Sequence, residues 1–199
     1  MFPAFLRLDG RKVVMVGGGP VAAGKLAPLL AAGAEVTVIA PEIRTEMARP
    51  GVTLVTRGFE DGDLDGAWWV VAAAPPEVNR RVAAAAERRR IFVNAVDDPA
   101  HATAYLGGVV RKAGVTIAIS TDGRAPALAG LLREALDAWL PDELEEWMRT
   151  ADAARIAWRR EAVPMEKRRP LLLETLNRLY DRTVVTGEPD ERELRVVEK

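Results

Sequence analysis

Cysteine is absent from the 199-residue chain. Disulfide bonds, thiolate catalysis, iron–sulfur clusters and zinc sites built on sulfur are therefore excluded, and the absence fits a reducing compartment. Histidine occurs once, as His101, and one histidine among scattered carboxylates is not a metal-ligand pattern. We therefore predict no metal site.

A net charge of either sign is also missing, since 28 Lys and Arg residues stand against 29 Asp and Glu residues. No global basic field is available to hold nucleic acid or an anionic membrane, so an anionic ligand must be met by a local site. No segment reaches the roughly 18 uncharged apolar residues of a membrane span, and the first ten residues lack the pattern of a secretory signal. We expect a cytoplasmic protein that binds neither nucleic acid nor membrane.

The composition that remains is that of an ordinary globular protein, with 49% apolar and 29% charged residues. Short apolar runs alternate with helical patterns through the first hundred residues. Strands are predicted at 12–16, 35–40, 52–56, 68–74 and 91–94, with helices at 21–32 and 76–90. This alternation predicts an α/β fold with a Rossmann-like, doubly wound parallel sheet.

The pattern changes beyond Asp97. Two strand-like runs at 104–110 and 115–120 indicate a hairpin. The helix predicted from about Pro126 has an apolar face, which includes Leu131 and Leu136, that exceeds what a small domain covers. Two further helices are predicted at 142–161 and 164–180, followed by a charged tail from Thr186.

The glycine-rich turn after the first predicted strand fits a dinucleotide-binding fingerprint. Gly17 permits the tight turn, Gly19 removes a side chain where a pyrophosphate approaches, and Ala22 allows close packing of helix on strand. The N-terminus of the following helix supplies N–H donors. Glu42, after the second predicted strand, favours NAD because it can accept from the ribose hydroxyls, whereas Arg44 could meet the 2′-phosphate of NADP.

A phosphate loop competes with this interpretation, because residues 19–25 also fit G-x-x-x-x-G-K. A serine or threonine should follow that lysine to hold magnesium, but Leu26 follows it here. The strand at 68–74 also ends in Pro75 without the expected aspartate. The nucleoside-triphosphatase interpretation is therefore disfavoured, and a turn that merely closes the βα unit remains the structural alternative.

Three motifs in order along the chain carry a family resemblance. They are V-G-G-G-x-V-A-x-x-K at 16–25, R-R-I-F-V-N-A-V-D at 89–97, and I-S-T-D-G-R-A-P leading into L-L-R-E at 119–134. On these motifs the chain resembles the precorrin-2 dehydrogenase module of siroheme synthase. The resemblance implies NAD-dependent oxidation of precorrin-2 to sirohydrochlorin, followed in some members by ferrous iron insertion to give siroheme, on a homodimer.

The same resemblance implies a domain organisation and particular site residues. It predicts an NAD-binding Rossmann domain over 1–106, a dimerisation segment over 107–140 and a small α-helical domain over 141–199. The family's catalytic aspartate matches Asp97, and its cofactor contacts match Pro20, Val21, Pro41 and Glu42. Related members often have serine and glycine where Thr121 and Asp122 stand, a departure that concerns the substrate wall and the iron step.

The residues themselves also favour a base at this point of the chain. Asp97 follows a predicted core strand, and open α/β sheets bind ligands at the carboxyl ends of their strands. Oxidation of a reduced tetrapyrrole removes a hydride and a proton, so one positioned base is sufficient. Asp98 is the alternative base, and His101 is a further candidate acid, base or iron ligand. A turn in which both aspartates accept backbone N–H groups is the competing structural interpretation.

The implied tetrapyrrole carries many carboxylates, so arginines and hydroxyl groups are the expected binding groups. The candidates are Arg111, Arg124, Ser120 and Thr121, although the two hydroxyls could equally cap the helix from Pro126. A function of another class also stays open, a non-catalytic NAD(H)-sensing module that acts through a partner. Turnover of precorrin-2, lost in Asp97→Ala with NAD binding retained, distinguishes the enzyme from the sensor.

Overall fold

The computed structural model describes residues 2–176. The strands in this range are β1 (Lys12–Val16), β2 (Glu35–Ile39), β3 (Val52–Val55), β4 (Trp69–Ala72), β5 (Phe92–Ala95), β6 (Gly108–Lys112) and β7 (Val115–Ile119). The α-helices are α1 (Pro20–Ala31), α2 (Pro76–Arg88), α3 (Pro126–Trp139), α4 (Leu144–Arg160) and α5 (Met165–Thr175). The charged tail predicted from Thr186 and the last residues of the helix predicted at 164–180 lie outside the described residues.

The first five strands form one parallel sheet in the order β3-β2-β1-β4-β5. The chain runs outward from β1 through β2 to β3 and then returns to place β4 on the other side of β1. The predicted α/β fold with a doubly wound parallel sheet is confirmed. Because the strand order reverses between β1 and β4, a crevice opens at the carboxyl ends of these two strands, where such sheets bind ligands.

Both faces of this sheet are buried, as an all-parallel sheet requires. Successive residues of β1 point to opposite faces, so Val13 and Met15 pack in one core cluster and Val14 and Val16 in the other. Helix α1 covers the first face with Ala22, Leu26 and Leu29, and α2 covers the second with Val82, Ala83, Ala85 and Ala86. The strand ends, and the turns that follow them, are therefore held by two cores.

The strand predicted at 68–74 ends two residues earlier, at Ala72, and the strand predicted at 104–110 begins four residues later; the other predicted strands differ by at most one residue at either end. The strand predicted at 68–74 begins at Trp69, and Trp68 is 53% exposed with the Arg11 guanidinium 3.9 Å from its ring centroid. The strand predicted at 104–110 begins at Gly108, because the preceding residues cover the edge strand β5 instead. Thr103 Oγ1 accepts the N–H of Val93 at 2.9 Å, and Ala104 donates its N–H to the Val93 carbonyl at 3.0 Å.

The chain divides into two compact units. Among the described residues, the first comprises 2–108 together with Ser120–Ala129, and the second comprises Val109–Ile119 and 130–176. In the second unit, β6 and β7 form a hairpin around Ala113 and Gly114, which both have positive φ angles. The predicted boundaries after residues 106 and 140 remain predictions.

The second unit has a small core of its own. Val110, Leu140 and Leu144 are buried together, and Leu136 of α3 packs against them. Lys112 Nζ donates to the Leu140 carbonyl at 2.8 Å and so ties the hairpin to the end of α3. Within residues 2–176, no helix combines the length and the apolarity that crossing a bilayer demands.

A polar network fixes the loop after β3. The Arg57 guanidinium donates to Asp63 Oδ1 at 2.6 Å and to Asp63 Oδ2 at 2.9 Å, and the Glu60 N–H donates to Asp63 Oδ2 at 2.8 Å. Lys12 Nζ donates to the Asp63 carbonyl at 3.0 Å. The hydrogen bond from Arg57 is the main cause of a pKa of the Asp63 carboxyl below its ordinary value.

We expect Asp63→Asn to lower the free energy of unfolding by about 1 kcal/mol at pH 7. The effect is small because Arg57 is partly exposed and solvent screens its attraction to Asp63. Because the pKa of Asp63 is lower in the native state than in the unfolded state, its carboxylate stabilises the fold at pH values above the unfolded-state pKa. This stabilisation is lost as the pH falls through the native-state pKa. The difference between wild type and variant should therefore shrink below about pH 4. Chemical denaturation at several pH values measures it, and a difference that stays constant down to pH 3 would contradict the assignment.

Candidate functional site

The turn between β1 and α1 is formed by glycines that touch the backbone of two other segments. Gly17 has φ +130°, and a Cβ on it would overlap the carbonyl of Ala73 after β4. A Cβ on Gly18 would overlap the carbonyl of Glu42 after β2. The sequence fingerprint assigned roles to Gly17 and Gly19 but missed Gly18, whose constraint comes from a contact 24 residues away along the chain.

Gly19 has a different role, because a Cβ on it would meet no atom within 4 Å. It is the N-cap of α1, with extended backbone, and Pro20 follows at the first helical position. The N–H groups of Val21 and Ala22 belong to the first turn and have no intrahelical acceptor. Open space beside free N–H donors at a helix N-terminus is a site for an anionic group such as a pyrophosphate.

A cleft of about 840 Å³ lies over this turn, within the size range of sites for small molecules and cofactors. Its wall contains the cofactor residues predicted from the sequence, except Val21 and Ala22, together with the ends of β1, β2 and β4. The lining residues that carry the argument are Gly17, Gly19, Pro20, Pro41, Glu42 and Ala73. Ala22 is fully buried behind the turn, where its small side chain lets α1 approach the sheet.

Three charged side chains line the same cleft: Glu42, Arg44 and Arg81. Glu42 is exposed in the segment after β2, where the acidic residue that meets a ribose lies in dinucleotide-binding sheets. Arg44 does not face the cleft as a free cation, because its guanidinium forms a bidentate pair with Glu46, with Nε 2.9 Å from Oε1. Glu42 and Arg81 are therefore the charged side chains of this cleft that have no side-chain partner among the described residues.

A second pocket, of about 290 Å³, adjoins the first. Asp97 and Asp98 line it together with Val21 and Val96, and the segment Ala73–Ala74 lines both pockets. The predicted catalytic aspartate and the predicted cofactor site thus share one wall at the carboxyl ends of the strands. Asp97 therefore lines the pocket that adjoins the cleft at Ala74.

The two neighbouring aspartates have different surroundings. Asp97 is exposed, has φ +56°, and its carboxylate has no hydrogen bond or ion pair with any residue in the described range 2–176. Asp98 is partly buried and is paired with His101, whose Nδ1 lies 2.8 Å from each carboxylate oxygen. Asp97 is therefore the carboxylate that is available to a ligand.

Two buried asparagines that the sequence analysis missed hold the loops of this site. Asn79 of α2 accepts the N–H of Ala74 through its Oδ1 at 3.0 Å and so fixes the shared wall. Asn94 of β5 donates through Nδ2 to the Ala104 carbonyl at 3.0 Å, while its buried Oδ1 has no partner among the described residues. Asn79 is a polar residue on the otherwise apolar buried face of α2, and this exception to the apolar pattern was the sequence signal that could have identified it.

The predicted substrate-binding residues line neither pocket within the described range. Ser120 Oγ accepts the N–H of Asp122 at 3.1 Å, and Thr121 Oγ1 accepts the N–H of Ala125 at 3.3 Å just before α3. Arg124 is exposed. Arg111 is exposed on β6 in the second unit. Both hydroxyl oxygens thus act as local caps, and each retains its O–H for donation.

A family model with the description "Putative NAD(P)-binding" matches residues 4–108, which contain the whole parallel sheet and both pockets. The chain belongs to this NAD(P)-binding family. The prediction that the chain uses a nicotinamide dinucleotide is confirmed at the level of this family.

The NAD(P)-binding chain is also similar to curated siroheme synthases, as the sequence motifs predicted. It is 40% identical over 147 residues to siroheme synthase 3 of Aeromonas hydrophila, covering 71% of this chain and 31% of that protein. It is 35% identical over 196 residues to siroheme synthase of Photorhabdus laumondii, covering 96% of this chain and 42% of that protein. The chain therefore spans less than half the length of these relatives.

Among solved structures, SirC, described as a precorrin-2 dehydrogenase, has the same fold. The TM-score is 0.69, with 24% sequence identity over 93% of this chain and 94% of that chain. The similarity therefore extends beyond the parallel sheet to the elements that follow it.

We expect Gly18→Ala to lower the free energy of unfolding by about 1–3 kcal/mol, because the new methyl group must displace the Glu42 backbone. The shift moves Gly19 and the first turn of α1, so NAD binding should weaken by about tenfold or more. Gly24→Ala is the matched control, since a Cβ there meets nothing in the helix α1. It should stabilise the fold by about 0.5–1 kcal/mol and leave NAD binding intact. Calorimetry measures both the free energy of unfolding and the affinity for NAD. Equal effects of the two variants on these quantities would contradict the role assigned to Gly18.

Proposed function

We propose that this chain oxidises precorrin-2 to sirohydrochlorin with NAD as the electron acceptor. The observation that carries the proposal is the shared wall at Ala73–Ala74, which joins the dinucleotide cleft to the pocket of Asp97. Two supports are independent of it: the similarity to siroheme synthases, and the fold shared with a protein described as a precorrin-2 dehydrogenase.

The cleft fits a nicotinamide dinucleotide. The N–H groups of the first turn of α1 would hold the pyrophosphate in the space that Gly19 leaves open, and Glu42 would accept from the adenosine ribose. When bound, NAD supplies a hydride acceptor. Asn79 acts as a positioning residue, because it fixes Ala74 between the two pockets. The cytoplasm is the compartment we propose for this reaction, in keeping with the absence of cysteine.

Asp97 is the proposed general base. Oxidation of precorrin-2 removes a hydride and a proton, and Asp97 accepts the proton on its unpaired carboxylate at the mouth of the small pocket. Asp98 is less suited to this role because its two oxygens are engaged by His101. Arg124, Arg111 and the free O–H groups of Ser120 and Thr121 are the proposed donors to substrate carboxylates, since charged and hydroxyl donors match these acceptors.

Ferrous iron enters the proposal as a substrate. Among residues 2–176, no group of three or more metal-ligating side chains lies together. A carboxylate that accepts a proton during oxidation can also accept the pyrrole protons that leave when a metal enters the ring. We therefore assign the proton-accepting role in any iron insertion to Asp97 as well.

Asp97→Asn keeps the shape of the side chain and removes the base. We expect kcat for precorrin-2 oxidation to fall by about 10²- to 10⁴-fold while the Kd for NAD changes by less than about twofold. Formation of NADH under anaerobic conditions, followed by its absorbance, measures turnover, and calorimetry measures NAD binding. A wild-type protein that binds NAD but forms no NADH from precorrin-2 would support the sensor function instead.

Asp98→Asn is the matched control for this experiment. It removes the neighbouring carboxylate and its pairing with His101 but leaves the proposed base in place. We expect kcat to change by less than about threefold, well below the loss typical of a missing general base. A large loss in Asp98→Asn with normal activity in Asp97→Asn would reverse the assignment.

We also propose a homodimer formed through α3. Leu131, Leu132 and Trp139 of this helix are 64%, 41% and 69% exposed, and adjacent exposed apolar groups of this size mark an interaction surface. Leu136, which the sequence placed on the same face, instead packs in the core of the second unit. Leu136 therefore does not test the dimer, and Leu131 is the residue to change.

Leu131→Glu should convert a dimer into a monomer because it places a charge in the contact. Leu136→Ala is the comparison: it should lower the free energy of unfolding by about 2–4 kcal/mol and leave the molecular mass of the assembly unchanged. Light scattering after size exclusion gives the masses. A monomeric wild type, or an unchanged dimer in Leu131→Glu, would refute this interface.

A further inference from the structure

The ribose end of the dinucleotide cleft contains an arginine whose guanidinium is already occupied. Arg44 donates its backbone N–H to the Gly18 carbonyl at 3.1 Å, which ties it to the glycine turn. Its side chain donates from Nε to Glu46 Oε1 at 2.9 Å and from Nη2 to Glu46 Oε2 at 3.0 Å. Arg44 lines the cleft, whereas Glu46 lies outside its wall. Glu46 therefore engages the Arg44 guanidinium without lining the cleft itself.

Arg44 and Glu46 each stabilise the charged form of the other. The hydrogen bond with Glu46 raises the pKa of Arg44, and the hydrogen bond with Arg44 lowers the pKa of Glu46. Arg49 lowers the pKa of Glu46 further by its charge and donates from Nε to the Glu46 carbonyl at 2.9 Å. Both partners are therefore ionised at neutral pH. Their side chains are about half exposed, so solvent screening keeps the interaction modest.

NAD and NADP differ at this end only by the 2′-phosphate, and a planar guanidinium fork is the group that binds such a phosphate best. Glu46 occupies the Nε and Nη2 donors of Arg44, so a 2′-phosphate must either displace this carboxylate or use the remaining Nη1 donors beside its negative charge. The phosphate would then lie near the negative charges of Glu42 and Glu46. A 2′-hydroxyl carries no charge and incurs neither penalty.

We propose that Glu46 is a specificity-determining residue that makes this site select NAD over NADP by occupying Arg44. This inference rests on the proposed dinucleotide site. Arg81 of α2 lines the same cleft and has no side-chain partner among the described residues, so the test must separate its charge from that of Arg44. A double variant at Arg44 and Glu46 achieves this separation, because Arg81 is unchanged in every protein compared.

The test is the binding of NAD⁺ and NADP⁺ to the full chain, measured by calorimetry without turnover. We expect Glu46→Gln to raise the affinity for NADP⁺ by about five- to tenfold and to change that for NAD⁺ by less than about twofold. Arg44→Ala combined with Glu46→Gln should lose most of the gain. The gain should also shrink as the ionic strength rises from about 0.05 to about 0.5 M.

Glu35→Gln is the matched control, since it removes one negative charge at the opposite end of β2 and should leave the ratio of affinities unchanged. An unchanged ratio in Glu46→Gln, or a gain that persists in the double variant, overturns the role of Glu46 while NAD⁺ binding stays intact. Failure of the wild type to bind either dinucleotide overturns the dinucleotide site itself and the inference with it. The two failures are thus distinguishable.

Discussion

The close approach of three backbone segments at Gly17 and Gly18 is the contact on which the rest of the site depends. These glycines lie against the carbonyl groups of Ala73 and Glu42, in the segments that follow β4 and β2. Any side chain at either position would separate the strand ends. Because the three segments are held together there, the cleft, the helix N-terminus and the acidic residue after β2 have a fixed mutual geometry.

In that geometry, backbone N–H groups are the donors we propose for the negative charge of the ligand. The chain has almost no net charge, and the first turn of α1 contains no basic side chain, so we propose that N–H groups and the helix dipole form the pyrophosphate site. Side-chain charges at the rim are then free to discriminate between ligands. Glu42, Arg44 and Glu46 lie close in sequence after β2, and we propose that the pairing of Arg44 with Glu46 makes this end of the cleft select against a 2′-phosphate.

Much of the first unit could be predicted from the sequence, because its strands are short apolar runs and its turns contain glycine at fixed offsets. The fingerprint located Gly17 and Gly19 for this reason. Gly18 and Asn79 escaped, because their constraints come from contacts with Glu42 and Ala74 that exist only in the folded chain. A fingerprint records spacing along the chain and contains no information on such contacts.

The misplaced strand at 104–110 has a related cause. Its apolar and β-branched residues resemble a ladder strand, but an exposed edge of β5 also needs partners for its backbone. Thr103 and Ala104 satisfy that edge, and the ladder begins only at Gly108. Likewise, Leu136 and Leu131 are five residues apart on one helix, yet only Leu136 packs in the small core. Periodicity identifies an apolar face and does not say which part of it a neighbour covers.

The segment after β5 illustrates how a local conformation bears on function. Two aspartates in a turn often accept backbone N–H groups, and that was the competing structural interpretation of Asp97 and Asp98. Neither does so among the described residues: Asp98 pairs with His101, and Asp97 has no partner. Asp97 also has φ +56°, a conformation that glycine adopts at lower cost. Aspartate tolerates this conformation better than most other side chains do, so the turn accommodates it. Its unpartnered carboxylate lines the pocket beside the dinucleotide cleft, and this supports the proposed role of Asp97 as the base.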